Sequence, residues 1–249
     1  MWHPRRYSWL LALAGALVAW QALALAVNDP VLPTPWVVFR ALWREVSRGR
    51  LPEHFLTSTY RVALSIGLST AAAFPLGLFL GLNRTANAIT SPLVYLSYPI
   101  PKIVLLPLLL LFLGIGDASK VAMIFLILFF QVLIVVRDAA MGVRPELVDS
   151  VRSLGARRRH LLRYVFFRAC LPATLTALRV STGTAIAVLF FVESFGTTSG
   201  LGYYILVESW GAIRYPEMYA GVVAMAVLGL GAYLLLDLVQ RKTCAWERP

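Results

Sequence analysis

The sequence predicts an all-α polytopic membrane protein with six transmembrane helices. Three observations lead there. Only 14% of the 249 residues are charged and 59% are hydrophobic, whereas soluble domains average about 25% charged. Several apolar runs reach the roughly 20 residues needed to cross a hydrocarbon core. The basic residues are shared unevenly between the segments that join those runs.

The first apolar run covers 8–27 and follows Arg5 and Arg6. Ala24-Leu25-Ala26 resembles a signal-peptide cleavage site. Against removal, Tyr7 to Val27 is long enough to span, so a retained first helix is expected. The connection from Asn28 to Ser58 opens with Pro30, Pro33 and Pro35. Trp36, Phe39 and Trp43 then recur three and four apart, which predicts an amphipathic helix lying at the membrane interface. Further spans are expected at 59–82, 92–113, 118–136, 173–195 and 217–238. Gly114-Ile115-Gly116-Asp117 is a tight turn between two of them. The chain thus divides into residues 1–58, a transmembrane core at 59–240 containing a polar loop at 137–172, and a tail at 241–249. No internal repeat is evident, which disfavours an inverted-repeat carrier.

Basic residues near the span ends set the orientation. Arg5, Arg6, Arg84, Arg137, Arg144, Arg152, Arg157, Arg158, Arg159, Arg163, Arg168, Arg241, Lys242 and Arg248 fall in one set of segments. Arg40, Arg44, Arg48, Arg50, Lys120 and Arg214 fall in the other. The larger set is cytoplasmic, which puts both termini and the 137–172 loop inside. The net charge of +11 is read as this asymmetry. A nucleic-acid binder would need a soluble basic face with aromatic platforms, and the chain has no domain to carry one.

Within the polar loop, Pro145 and Glu146 suit the first turn of a helix. Leu147, Val151 and Leu154 share one face, and Gly155 falls where that helix ends. A second helical stretch starts near Arg157 and carries Leu161, Leu162, Val165 and Phe166. This helix-turn-helix either rests on anionic headgroups or docks a cytoplasmic partner.

Ionisable residues inside the spans are functional candidates because a charge there costs roughly 3 kcal/mol or more. Lys102 lies among Pro99, Pro101 and Pro107, which break the helix and free carbonyls. It either snorkels, serves those carbonyls, or lines a pathway and attracts an anion. Glu193 is the second candidate, and pairing with Lys102 would neutralise both. Arg179 is near enough to the cytoplasmic end to snorkel. Asp237, near Arg241, reads as a solvated end charge. The segment 196–216, with Gly196, Gly211, Tyr203, Tyr204, Trp210 and Tyr215, is either an aromatic belt or an external gate and docking rim.

Some chemistry is missing. There is no Gly-x-x-x-x-Gly-Lys phosphate loop, so the chain does not bind ATP in that way. His3, His54 and His160 form no metal cluster, and no nucleophile has a plausible base. Cys170 and Cys244 have no metal spacing and suggest no disulfide. No catalytic residue, metal or cofactor is therefore expected on this chain.

Around Gly155 the chain resembles the cytoplasmic loop of binding-protein-dependent ABC importer permeases. That pattern runs Glu-Ala-Ala, three residues, Gly, nine residues, an aliphatic, one residue, Leu-Pro. Here Asp149 stands for the glutamate, Ser150 and Val151 for the alanines, Gly155 for the glycine and Val165 for the aliphatic. Phe167-Arg168 departs from the Leu-Pro pair, while Leu171-Pro172 supplies a second one. Tyr98-Pro99-Ile100-Pro101-Lys102-Ile103-Val104-Leu105-Leu106-Pro107-Leu108, then Gly114-Ile115-Gly116, resembles the nitrate/sulfonate/taurine/bicarbonate branch, with Phe112 replacing a tryptophan. Ser199-Gly200-Leu201-Gly202-Tyr203 resembles the segment after that branch's fifth span.

The resemblance implies a type I ABC importer permease fold in the bacterial inner membrane. It implies a homodimer, two cytoplasmic ATPase subunits holding ATP and magnesium, and a periplasmic substrate-binding protein. Glu146, Leu147, Asp149, Ser150, Val151, Leu154, Gly155 and Ala156 would form the ATPase contact. Pro99, Pro101, Lys102, Glu193, Ser194, Ser199, Gly200 and Gly202 are the candidates for the pathway and its gate. The branch handles small anions, although relatives carry thiamine precursors and other heterocycles. The competing reading is a channel or secondary carrier working without ATP. A membrane-embedded enzyme is disfavoured by the lack of paired catalytic groups.

Overall fold

The computed structural model describes residues 8–97 and 99–247. His3, Arg5, Arg6, Tyr7, Tyr98 and Arg248, used above, lie outside the described residues. Among the described residues every regular element is helical. Five helices are long and apolar enough to cross a membrane, or six if one bent pair counts as a single span.

Helix α1 (Ser8–Val27) is almost wholly exposed. It is tied to the rest by Ala24, by Trp20 Nε1 donating to Pro33 O at 3.1 Å and by the Trp20–Tyr219 ring contact. Helix α2 (Pro35–Arg48) is amphipathic, as its spacing predicts. It buries Val38 and Ala41 and turns Trp36, Phe39 and Trp43 outward, as a helix at the interface should.

Helix α3 (Leu51–Leu82) begins at Leu51, not at residue 59. The polar sequence around His54 and Ser58 reads as a connection but is the first turns of this helix. The expected boundary at residue 58 therefore falls inside one element. Its buried residues include a polar and small stripe of His54, Ser58, Arg61, Ser65, Ser69, Ala73 and Gly77, alongside Leu51, Val62 and Leu80. A helix in lipid turns its apolar face outward, so polarity marks the inside.

The span expected at 92–113, with its prolines breaking the helix, is a bent pair. Helix α4 (Arg84–Ser97) and the Lys102–Leu113 segment, containing α5 (Leu106–Leu113), meet at 85°. Pro99 and Pro101 lie at the corner, where missing N–H groups stop the ladder. Lys102 Nζ donates to Ser97 O at 3.0 Å, so it serves a carbonyl the break has freed.

Helix α6 (Asp117–Met141) runs parallel to α3. Arg61 bonds Asp117 at one end, while Gly77 and Gly81 face Val136 and Ala140 further along. A Cβ at Gly77 would lie 2.8 Å from Val136 Cβ, and one at Gly81 2.6 Å from Ala140 Cβ. Small residues at 73, 77 and 81 let the two backbones approach closely.

The polar loop is shorter than 137–172, because α6 continues to Met141 and helix resumes at Arg158. Between them stands α7 (Pro145–Ser153). Helix α8 (Arg158–Leu161) passes through a wide turn at Leu162–Phe166 into α9 (Phe167–Ser194). After α10 (Leu201–Tyr203) and a second wide turn, α11 (Tyr215–Thr243) returns, so residues 241–243 are helix, not tail. Asp237 is not a solvated charge. It accepts from Arg179 at 2.6 Å and Arg241 at 2.7 Å and is 14% exposed. Cys170 and Cys244 are both buried free thiols.

Two apolar clusters fill the bundle. Leu128, Leu189, Val192, Leu201 and Tyr204 belong to one, and Val132, Val136, Cys170 and Leu178 to the other. The bundle thus has a hairpin end, with α7, and an opposite end, with residues 196–214.

Candidate functional site

The candidate residues separate to the two ends. At the opposite end Glu193 closes α9 and is fully buried. A buried carboxylate must be paired and hydrogen-bonded. Arg61 Nη1 donates to it at 2.7 Å, Ser58 Oγ stands 2.7 and 2.9 Å from its two oxygens, and Gly202 N–H donates at 3.0 Å. Glu193 therefore pairs with Arg61, not with Lys102, the partner the sequence offered as one possibility. Lys102 lies at the corner before α5 and stands over the Phe130 ring at 5.1 Å.

Arg61, 2% exposed, is the hub. Its Nε and Nη2 donate to Asp117 at 2.8 and 2.6 Å, its Nη1 to Ser199 O at 2.9 Å and its Nη2 to Ser199 Oγ at 3.0 Å. One planar guanidinium thus joins α3, α6, α9 and the loop after α9, which its fork of fixed donors suits.

The loop is held at further points. Leu201 N–H donates to Ser58 Oγ at 2.8 Å. Gly200 N–H donates to His54 Nδ1 at 3.1 Å, so Nδ1 is an acceptor and the ring proton is on Nε2. That nitrogen is 3.3 Å from a Glu208 oxygen, and Glu208 accepts from Arg50 at 2.8 Å. Lys120, also buried, donates to Gly196 O at 2.8 Å and to Ile115 O. Gly200 has φ +109, which side chains rarely adopt, and a Cβ there would collide with the Glu193 carboxyl. A Cβ at Gly202 would stand 2.6 Å from Phe190 O.

The structure thus brings Glu193, Ser199, Gly200 and Gly202 together and leaves Pro99, Pro101 and Lys102 at the helix corner. Ser194 bonds back to Phe190 O at 2.7 Å. Sequence reasoning missed Arg61, Ser58, His54, Asp117 and Glu208. The polar period along α3 was the available signal. The aromatic segment divides, with Tyr204 buried at 2% and Trp210 exposed at 55%.

At the hairpin end the arrangement is the reverse. Helix α7 has no buried residue. Leu147 is 48% and Leu154 86% exposed. The helix ends as the spacing predicts: Gly155, φ +81, donates to Arg152 O at 2.9 Å, and Ala156 N–H donates to Val151 O at 3.4 Å. This pair of bonds around a left-handed glycine is the Schellman closure.

Residues 73–243 match the binding-protein-dependent transport system inner membrane component family. The chain belongs to this family. It is a multi-pass membrane permease. A putative ABC transporter permease of Methanocaldococcus jannaschii is 31% identical over 94% of this chain and 89% of its own. The taurine transport system permease of Escherichia coli is 28% identical, covering 98% of this chain and 95% of its own. A putative aliphatic sulfonates transport permease of Bacillus subtilis is also 28% identical, over 98% and 90%. A solved methionine ABC transporter in an inward-facing form matches with TM-score 0.62 at 20% identity, over 78% of this chain and 95% of that chain, and supports the fold.

Proposed function

We propose that this permease takes up a small anionic solute, a sulfonate or a similar acid, handed over by a periplasmic binding protein. Two copies form the pathway. Two cytoplasmic ATPase subunits, holding ATP and magnesium, drive it, and both termini lie in the cytoplasm. This chain itself catalyses nothing.

One observation carries the reading. Helix α7 is closed at Gly155 yet has no fully buried residue, with Val148 and Val151 only half-buried and Leu154 86% exposed. A helix of that length is marginal alone in water and needs an outside surface. The contact is made by Glu146, Leu147, Asp149, Ser150, Val151, Leu154, Gly155 and Ala156. The relatives named for taurine and aliphatic sulfonates support the anion. The pathway between two copies is supported by the concave apolar face of α9 and α11, at Thr182, Gly183, Ile186, Met225 and Gly229. The gate is the Arg61–Glu193 cluster with Ser199, Gly200 and Gly202, because it anchors the loop that faces the binding protein.

The test is Gly155→Pro in the reconstituted transporter. Proline cannot adopt φ +81 and has no N–H for Arg152 O. The variant is expected to reach the membrane while ATP hydrolysis no longer drives uptake. Normal uptake would overturn the reading.

A further inference from the structure

A groove of about 860 Å³ opens at the hairpin end, between the end of α3, the start of α9 and the chain after α11. Its two levels differ in chemistry. The floor is Pro75, Leu78 and Phe79 on α3, which is part of a membrane span. From Pro75 to Leu82 is about 10 Å along the axis at 1.5 Å per residue. The rim carries Arg158, Arg159, Arg163 and Arg168. No carboxylate lines the groove among the described residues. None of these four arginines stands in an ion pair among the described side chains, whereas Arg61, Arg137 and Arg179, within the long helices, all do. Arg168 stacks at 5.8 Å on Tyr164 and 5.9 Å on Trp246, and Arg163 lies 5.8 Å from the Tyr164 ring.

We infer that this groove is a binding site for an anionic phospholipid. The arginines take the phosphate and the floor takes an acyl chain. Four uncompensated arginines beside one another repel, and a phosphate relieves that with charge-assisted hydrogen bonds. Tyr164 and Trp246 are the amphipathic rings expected at headgroup depth. Basic pockets between spans on the cytoplasmic side recognise lipid headgroups in this way. A soluble protein would explain the rim but not an apolar floor reaching into a membrane span. The site also touches the coupling element. Arg158 and Leu162 line both this groove and the adjoining hollow that contains Gly155 and Ala156. Bound lipid therefore stiffens the return of the hairpin. The inference rests on the cytoplasmic orientation proposed above.

Native mass spectrometry of the purified transporter tests it, after exchange into mixed phosphatidylglycerol and phosphatidylcholine. The wild type is expected to retain phosphatidylglycerol preferentially. Arg163→Gln with Arg168→Gln should lower that retention about tenfold, Arg163→Lys with Arg168→Lys much less, and Arg48→Gln on α2 not at all. Equal retention by the wild type and the glutamine pair would overturn the site. Displacement by inorganic phosphate would mean that the groove holds a free anion. Loss of the lipid on docking of the ATPase subunits would assign the groove to that interface instead. Retention is read without ATP or uptake, so failure of the importer reading would not mimic failure of this one.

Discussion

The two ends of this permease hold their polar groups in opposite ways. At the end carrying residues 196–214, Arg61 and Glu193 are 2% and 0% exposed and bonded to groups on this chain. At the hairpin end, α7 buries no residue, and the nearby Arg158, Arg159, Arg163 and Arg168 have no described carboxylate partner. The Arg61–Glu193 pair is satisfied within one copy. The hairpin end becomes complete when something else arrives. A substitution should therefore harm the fold at one end and harm assembly or coupling at the other.

The comparison is tested most severely at Arg61. Arg61→Ala leaves the Glu193 carboxylate buried and unpaired, which costs about 3–5 kcal/mol, whereas Glu193→Ala removes one of the two carboxylates that Arg61 meets and leaves it paired with Asp117, a smaller loss. Both variants should show lower melting temperatures and membrane yield, Arg61→Ala the more sharply. Arg61→Met with Glu193→Leu should recover part of that loss, giving a non-zero interaction in a double-mutant cycle. An unchanged melting temperature for Glu193→Ala would break the contrast. Next in size is Gly200→Ala. It forces a side chain into an unfavourable backbone region against the Glu193 carboxyl, at about 1–3 kcal/mol. Thermal unfolding should place it between the charge variants and the hairpin variants. At the other end, Gly155→Ala puts a Cβ on a left-handed residue with open space around it, a cost of about 1–2 kcal/mol confined to α7. Hydrogen exchange should rise in 145–156 and not in α3 or α9. The smallest effect on the fold is that of Leu154→Ala, within about 0.5 kcal/mol as for other surface changes. That variant should still lose most ATPase subunit in co-purification. A large fall in its melting temperature would show that Leu154 packs on its own chain.

Legibility followed the same divide. The hairpin could be read from the sequence because its signals are local. Pro145, Glu146, the spacing of Leu147, Val151 and Leu154, and Gly155 all lie within one short segment. At the opposite end Glu193, Ser199, Gly200 and Gly202 were legible as candidates, but their hub Arg61 was not, because it meets Glu193 and Ser199 only after four elements have packed. The stripe of His54, Ser58, Arg61, Ser65 and Ser69 did have a helical period. A search for apolar periodicity passes over it, since in lipid the polar face is the buried one. The same bias placed the start of α3 eight residues late, as polarity near His54 suggested a connection. Lys102 shows a third case. The prolines announced the break, but which carbonyl the amine would serve depended on the sharpness of the 85° corner.

The close seam along Ala73, Gly77 and Gly81 has a mechanical consequence. Helix α6 leads through Gly142-Val143-Arg144 directly into α7, and α3 carries Arg61 to the far loop. With almost no space between α3 and α6, neither slides or tilts without the other. The two parallel rods behave as one strut. A tug on the hairpin then arrives at the far loop with little slack, and the glycines of the seam set how stiff that transmission is.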